Sequence, residues 1–193
     1  MASDNETRPR GDNNVMLDLE TMDNTSDSAI VSIGACVFSS ANGITSKFGI
    51  DVDLQSAIDY GGTVGGSTVL WWLNQKWEAR KKLTQAKALS LPDALIEFSN
   101  WIPEGAIVWG NGSDFDNVIL KNAYRRVDMP APWPKFNDRC FRTMKTIFKD
   151  VQKPKREGIA HSALDDAVFQ ATWILKIFEE KFKCRATGET QCR

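Results

Sequence analysis

The sequence predicts an α/β fold, a mixed sheet flanked by helices. Near the N-terminus, Val15, Leu17 and Leu19 alternate with Met16, Asp18 and Glu20, the period of a strand. From residue 67 onward the apolar spacing is mostly helical, interrupted by one short apolar run at Ala106 to Trp109. Strands first, then helices alternating with strands, give the mixed architecture.

The elements follow in order. Residues 1–14 are polar and aperiodic and read as a disordered extension, and 184–193 as a short polar tail. Residues 15–183 are then one domain. After the strand at Val15 to Glu20, Ala29 to Phe38 is a second, mostly apolar strand and Lys47 to Val52 a third. Gly61 to Gly66 is a loop before Ser67, a candidate helix cap, and a helix carrying Trp71, Trp72 and Trp77 follows. The loop is too irregular for a phosphate-binding fingerprint. Ser90-Leu91-Pro92-Asp93 has capping-box spacing with Pro early in the turn, so a helix runs to about Trp101. Phe115 to Val127 is helical, Pro130, Pro132 and Pro134 stiffen a loop, and Arg139 to Phe148 is helical again. The last helix runs from Ala163 into the early 180s with Leu164, Val168, Ala171, Leu175, Phe178 and Phe182 at helical spacing.

Composition narrows the function classes. The 193 residues carry a formal net charge of -1, so a nucleic-acid partner would be held by local Lys/Arg patches, not a global basic field. Cys36, Cys140, Cys184 and Cys192 show no CxxC pairing or zinc spacing, and read as reduced structural thiols in a cytoplasmic protein. No apolar run approaches membrane-spanning length, and no signal-peptide core is present.

Four carboxylates and the single histidine carry the chemistry. An acidic pair at a strand end is often a solvated edge. On a central strand, however, Asp18 and Glu20 share a face that stays ionised only if paired or bound to metal. Asp116 follows Phe115 at a helix start, where Asp114 better suits a dipole-stabilising role, and Phe115 and Leu120 anchor the helix. In His161-Ser162-Ala163-Leu164-Asp165-Asp166, Ser162 and Asp165 form a capping box. That leaves Asp166 to point into the site from the first turn. His161 lies just outside the helix, on a loop with Gly158 and the cations Lys153, Lys155 and Arg156. Hard oxygen ligands for two divalent cations, with one base titrating near neutrality, are what metal-assisted phosphodiester hydrolysis requires.

The three segments resemble the motifs of the DEDDh 3′→5′ exonucleases, which have a ribonuclease H-like fold. Asp18-Leu19-Glu20 matches the first motif. Phe115-Asp116 with Leu120 matches the second, and His161, Ala163, Asp166 and Ala167 match the third. Trp71-Trp72, Trp109-Gly110-Asn111-Gly112 and Arg142-Thr143 resemble a bacterial and phage branch. The resemblance implies a 3′→5′ exonuclease releasing nucleoside 5′-monophosphates from single-stranded nucleic acid, with DNA favoured and RNA the alternative. It implies two Mg²⁺ or Mn²⁺ ions on Asp18, Glu20, Asp116 and Asp166, Asp18 bridging, and His161 as general base. It also implies terminal-nucleotide contacts near Met22, Trp71, Trp72, Asn111 and Phe115. One departure is Thr21-Met22 where many relatives have Thr-Gly, which makes Met22 the candidate nucleotide contact. Adjacent helix residues point about 100° apart, so one of Trp71 and Trp72 can be core while the other stacks a base or contacts a second copy in a homodimer. A non-catalytic binding module and a polymerase-bound proofreading subunit are the competing readings.

Overall fold

A computed structural model describes residues 13–83, 87–112 and 114–182. The elements are β1 (Asn14–Thr21), β2 (Ile30–Ser39), β3 (Gly43–Asp51), α1 (Leu54–Asp59), α2 (Gly66–Leu73), α3 (Trp77–Lys82), α4 (Leu91–Trp101), β4 (Ile107–Gly110), α5 (Asp116–Arg126), β5 (Asp138–Cys140), α6 (Phe141–Ile147) and α7 (Ala163–Phe182). One sheet has the order β3-β2-β1-β4-β5, with β1 central. The β1–β2 and β2–β3 pairs are antiparallel, while β4 runs parallel to β1 and β5 parallel to β4. The mixed sheet with helices on both faces is the predicted class.

Alternation along β1 splits the core. Val15, Leu17 and Leu19 pack with Leu95 and Phe98 of α4 and Ile119 and Leu120 of α5. Met16, on the other face, joins Cys36, Phe38 and Trp109 beneath Ala167, Ala171 and Ile174 of α7. Asp18 and Glu20 share the face of Met16, so both are directed toward α7.

Several elements differ from expectation. Asn14 is not part of an N-terminal extension. It opens β1, and its Oδ1 accepts a bond of 2.9 Å from Trp109 Nε1. Residues 1–12 and the tail 184–193, with Cys184 and Cys192, lie outside the described residues. Gly65, not Ser67, is the N-cap of α2, because its N–H donates to Met22 O at 2.8 Å and ties the helix start to the β1 turn. Asn74 ends α2, so Trp77 begins a separate helix. The helix expected from Arg139 is preceded by β5. Asp138 accepts from Asn117 Nδ2 and Trp133 Nε1 and fixes that short strand beside β4, and α6 starts only at Phe141.

The most consequential difference is the rotation of α7. Its buried residues include Ala163, Ala167, Gln170, Ala171, Ile174 and Ile177, whereas Leu164, Val168, Leu175 and Phe178 are half-buried and Phe182 is exposed. Small side chains face the sheet because the helix start lies almost on it. A Cβ at Gly34 of β2 would stand 2.0 Å from the Ala163 carbonyl carbon and 2.1 Å from Leu164 N. Gly34 is the cross-strand partner of Asp18. The glycine therefore sets how near the third motif comes to the first.

Gly34→Ala is expected to cost roughly 3 kcal/mol, the upper end of overpacking penalties, because the obstructing atoms are backbone. Urea unfolding measures it. Wild-type stability in this variant would contradict the close approach.

Candidate active site

Asp18 and Glu20 sit on the α7 face of β1, and the β1–β2 register shifts just after Glu20. Asp166 enters from the first turn of α7, where its N–H donates to Ser162 O at 2.8 Å. One carboxylate oxygen from each of Asp18, Glu20 and Asp166 lies within 4.8 Å of the others. One turn further along α7, Gln170 Nε2 donates to Asp18 Oδ1 at 2.7 Å. Gln170 is only 4% exposed, and its Oε1 has no hydrogen-bond partner among the described residues.

Asp116 stands beside this group but outside the close triple. It is 3% exposed, and both its oxygens are engaged by backbone: Oδ1 by Leu19 N–H at 3.2 Å, Oδ2 by Asn111 N–H at 2.9 Å. Gly110 permits this seating, since a Cβ there would lie 3.2 Å from Asp116 Cβ and 2.3 Å from Asn117 Oδ1.

The electrostatics follow from crowding. Burial raises the Asp18 carboxyl well above the usual carboxylate range, and the charges of Asp116, Glu20 and Asp166 raise it further, against the Gln170 hydrogen bond. Burial pushes Asp116 up to about 6, against its backbone donors and Arg142. Like charges at this spacing coexist ionised only with a cation among them. The donor set is hard oxygen throughout, which fits Mg²⁺ or Mn²⁺ rather than a thiolate-seeking metal.

His161 is held at the rim by its backbone. Its φ is +61°, its N–H donates to Asp166 Oδ2 at 3.1 Å, and its ring meets Trp71 edge-on at 4.9 Å and Trp72 at 6.4 Å. Asp165, expected to cap the helix, accepts from Ile159 N–H at 3.0 Å. Gly158, at φ +81°, leaves room for it, since a Cβ there would lie 2.6 Å from Asp165 Cγ. Two adjacent aspartates thus divide their tasks, one holding the loop and one facing the cluster. Of the three cations in this segment, Arg156 is ion-paired with Asp166 and stacked 4.5 Å above the Phe169 ring, and Lys153 lies over the same ring at 5.5 Å.

The expected nucleotide contacts separate. A cavity of about 450 Å³ is lined by Glu20, Thr21, Asp23, Trp71, Trp72 and Phe115, among others. Trp72 is 3% exposed with Nε1 donating to Thr21 O at 3.0 Å, whereas Trp71 is 43% exposed, so one ring is core and the other wall. Met22 is 8% exposed and packs in the core, its N–H paired with Ala29 O, while its neighbours Thr21 and Asp23 stand on the wall. Asn111 reaches the site through its N–H to Asp116, and its Oδ1 accepts from Lys145 Nζ at 3.4 Å. Sequence reasoning missed Thr21, Asp23 and Gln170. Only Gln170 carried a signal, its i+4 spacing from Asp166.

Solved structures share this arrangement of the chain. The nuclease domain of 3′hExo, a DEDDh family member bound to rAMP, superposes with a TM-score of 0.58 at 13% identity, over 89% of this chain and 94% of that one. E. coli Exonuclease I in complex with a dA16 oligonucleotide gives 0.60 at 15% identity, over 86% of this chain and 40% of the other. S. pombe Pop2p in its Mg²⁺- and Mn²⁺-bound form gives 0.56 at 13% identity, over 88% and 84%. None of the curated proteins compared with this chain matches it. The fold and the carboxylate site define the class, a hydrolytic 3′–5′ exonuclease of ribonuclease H-like fold. The chain belongs to the 3′–5′ exoribonuclease Rv2179c-like domain family, whose model matches residues 13–178.

Carboxyl groups raised in the fold favour stability while protonated and oppose it once ionised, so metal-free stability is lost as pH rises above about 4, through about 6 for Asp116 and through the raised range of Asp18 for that group. In EDTA at pH 7.5, Asp18→Asn is therefore expected to melt roughly 2–4 °C above wild type, and the gap should narrow at pH 4. Mn²⁺ should raise the wild-type melting temperature and not the variant's. A wild type more stable than Asp18→Asn in chelator at pH 7.5 would contradict the crowding.

Proposed function

We propose that this domain removes nucleoside 5′-monophosphates one at a time from the 3′ end of single-stranded RNA. The observation that carries the reading is the convergence of Asp18, Glu20 and Asp166 to within 4.8 Å, with His161 bonded to the same Asp166. Asp18, Glu20 and Asp166, with Asp116 alongside, would hold two Mg²⁺ or Mn²⁺ ions. Such ions, when bound, supply Lewis-acid stabilisation of the scissile phosphate and a more acidic attacking water. His161 takes the proton of that water as it attacks phosphorus. The P–O3′ bond breaks, the phosphate stays on the departing nucleotide, and the 3′ oxygen is protonated by solvent. Trp71 braces the imidazole while the Asp165–Ile159 bond fixes its loop, so the base is oriented before substrate arrives.

The pocket of about 450 Å³ beside Glu20 receives the terminal nucleoside, with the exposed Trp71 face stacking the base. The motifs taken alone favour DNA. Membership of a family described as exoribonucleases favours RNA, and Glu20, Asp23 and Ser67 on the pocket wall offer partners to a 2′-hydroxyl. Cys36 and Cys140 are thiols rather than a disulfide, which suits a reducing compartment, and no described helix is long and apolar enough to cross a membrane.

The test is a gel of 5′-labelled single-stranded RNA and DNA incubated with the protein and Mn²⁺. Stepwise shortening is expected, faster on RNA, abolished by EDTA and by a blocked 3′ end. His161→Ala should slow it by roughly a hundredfold or more while Mn²⁺ affinity is retained. Internal cutting of circular single strands, or full activity in the chelator, would overturn the proposal.

A further inference from the structure

Two cavities flank the carboxylate cluster, and their linings have opposite charge character. The first, assigned above to the terminal nucleoside, has Glu20 and Asp23 as its charged lining. The second, of about 540 Å³, lies between α3 and the 156–161 segment, lined among others by Gln75, Lys76, Glu78, Arg156, Gly158 and His161. The packed rings of Trp71 and His161, 4.9 Å apart, separate them, for Trp71 lines the first and His161 the second. Arg156 links the second cavity to the cluster, for it stands on the cavity wall and is ion-paired with Asp166.

A strand being shortened from its 3′ end needs this asymmetry. The terminal nucleotide carries one phosphate, the scissile one, which must lie at the carboxylates, so its sugar and base need no cation. The penultimate nucleotide brings a further phosphodiester on its own 5′ side, an anion that an acid-lined pocket repels and a Lys/Arg-lined one attracts. A volume of about 540 Å³ falls within the range of small-ligand sites. We propose that the cavity between α3 and the 156–161 segment receives the penultimate nucleotide, with Lys76 and Arg156 on its 5′ phosphodiester. This rests on the exonuclease reading and adds the direction in which the strand leaves: past His161 and over α3. Arg156 then faces two anions, Asp166 and the substrate phosphate, and joins the upstream strand to the reacting centre. Glu78, the acid on this wall, is outnumbered by the two cations.

Lys76 is the residue to test, because it is exposed and its side chain makes no helix-cap hydrogen bond, so its removal leaves the fold intact. The probes are a 5′-fluorescein uridine tetranucleotide with a phosphorothioate 3′-terminal linkage, bound in Ca²⁺ at several salt concentrations, and adenosine 5′-monophosphate. For Lys76→Ala the tetranucleotide should bind roughly tenfold more weakly at low salt, and the slope of log K against log salt should become shallower by about 0.7, one single-strand phosphate contact. Lys76→Glu should weaken it further. Adenosine 5′-monophosphate, which occupies only the first cavity, should bind all three proteins equally. Unchanged tetranucleotide affinity and slope would overturn the assignment. So would a loss of monophosphate affinity in Lys76→Ala, which would place the terminal nucleotide in this cavity. Failure of the exonuclease reading itself is recognised separately, as absence of wild-type cleavage at any 3′ end.

Discussion

Helix α7 touches the sheet at Gly34, and the approach there leaves no space for a Cβ between the β2 backbone and the Ala163 carbonyl. Because Gly34 is paired across the ladder with Asp18, the closest contact of helix and sheet falls beside the first motif. Asp166 and Gln170, one and two turns into the helix, are thereby delivered to Asp18, and the N–H of His161 to Asp166. Alanines at 163, 167 and 171 continue the close approach along the helix. The site is a consequence of backbone proximity, and side-chain chemistry is added to it.

That proximity has an electrostatic cost which the fold does not relieve by dispersal. Asp18 faces three other carboxylates with one amide donor in support, whereas Asp116 has two backbone donors. The two buried acids therefore differ in kind. Asp116 is a carboxyl wedged between β1 and the turn after β4 on two backbone donors, and Asp18 is the shared centre whose ionised form needs a cation. Arg156 stands at the edge of this field, stacked on Phe169 and paired with Asp166, and offers positive charge on the side where the second cavity opens.

The carboxylate cluster was legible in the amino-acid sequence because its signals are local. Alternation along β1 placed Asp18 and Glu20 on one face, and the residue order at His161 to Asp166 separated a loop-holding acid from a site-facing one. The orientation of α7 was not legible from its largest apolar residues, since Leu164, Val168 and Phe178 flank the contact and the alanines make it. The shortness of β5 and its charged Asp138 and Arg139 hid it, and its place depends on Asp138 meeting Asn117 and Trp133 outside the strand. The burial of Met22 was hidden for a related reason. The departure from a glycine at that position was visible, but the inward turn imposed by pairing with Ala29 was a tertiary fact.

Asp18, Glu20 and Asp166 converge on the α7 face of the sheet as one candidate cation site. Anomalous diffraction from crystals grown with Mn²⁺ tests this most directly. Density flanked by these three carboxylates, with Asp18 shared between ions and Asp166 drawn away from Arg156, is the result the account predicts. Manganese bound elsewhere, with Asp166 still paired to Arg156 and the three carboxylates unliganded, would contradict it.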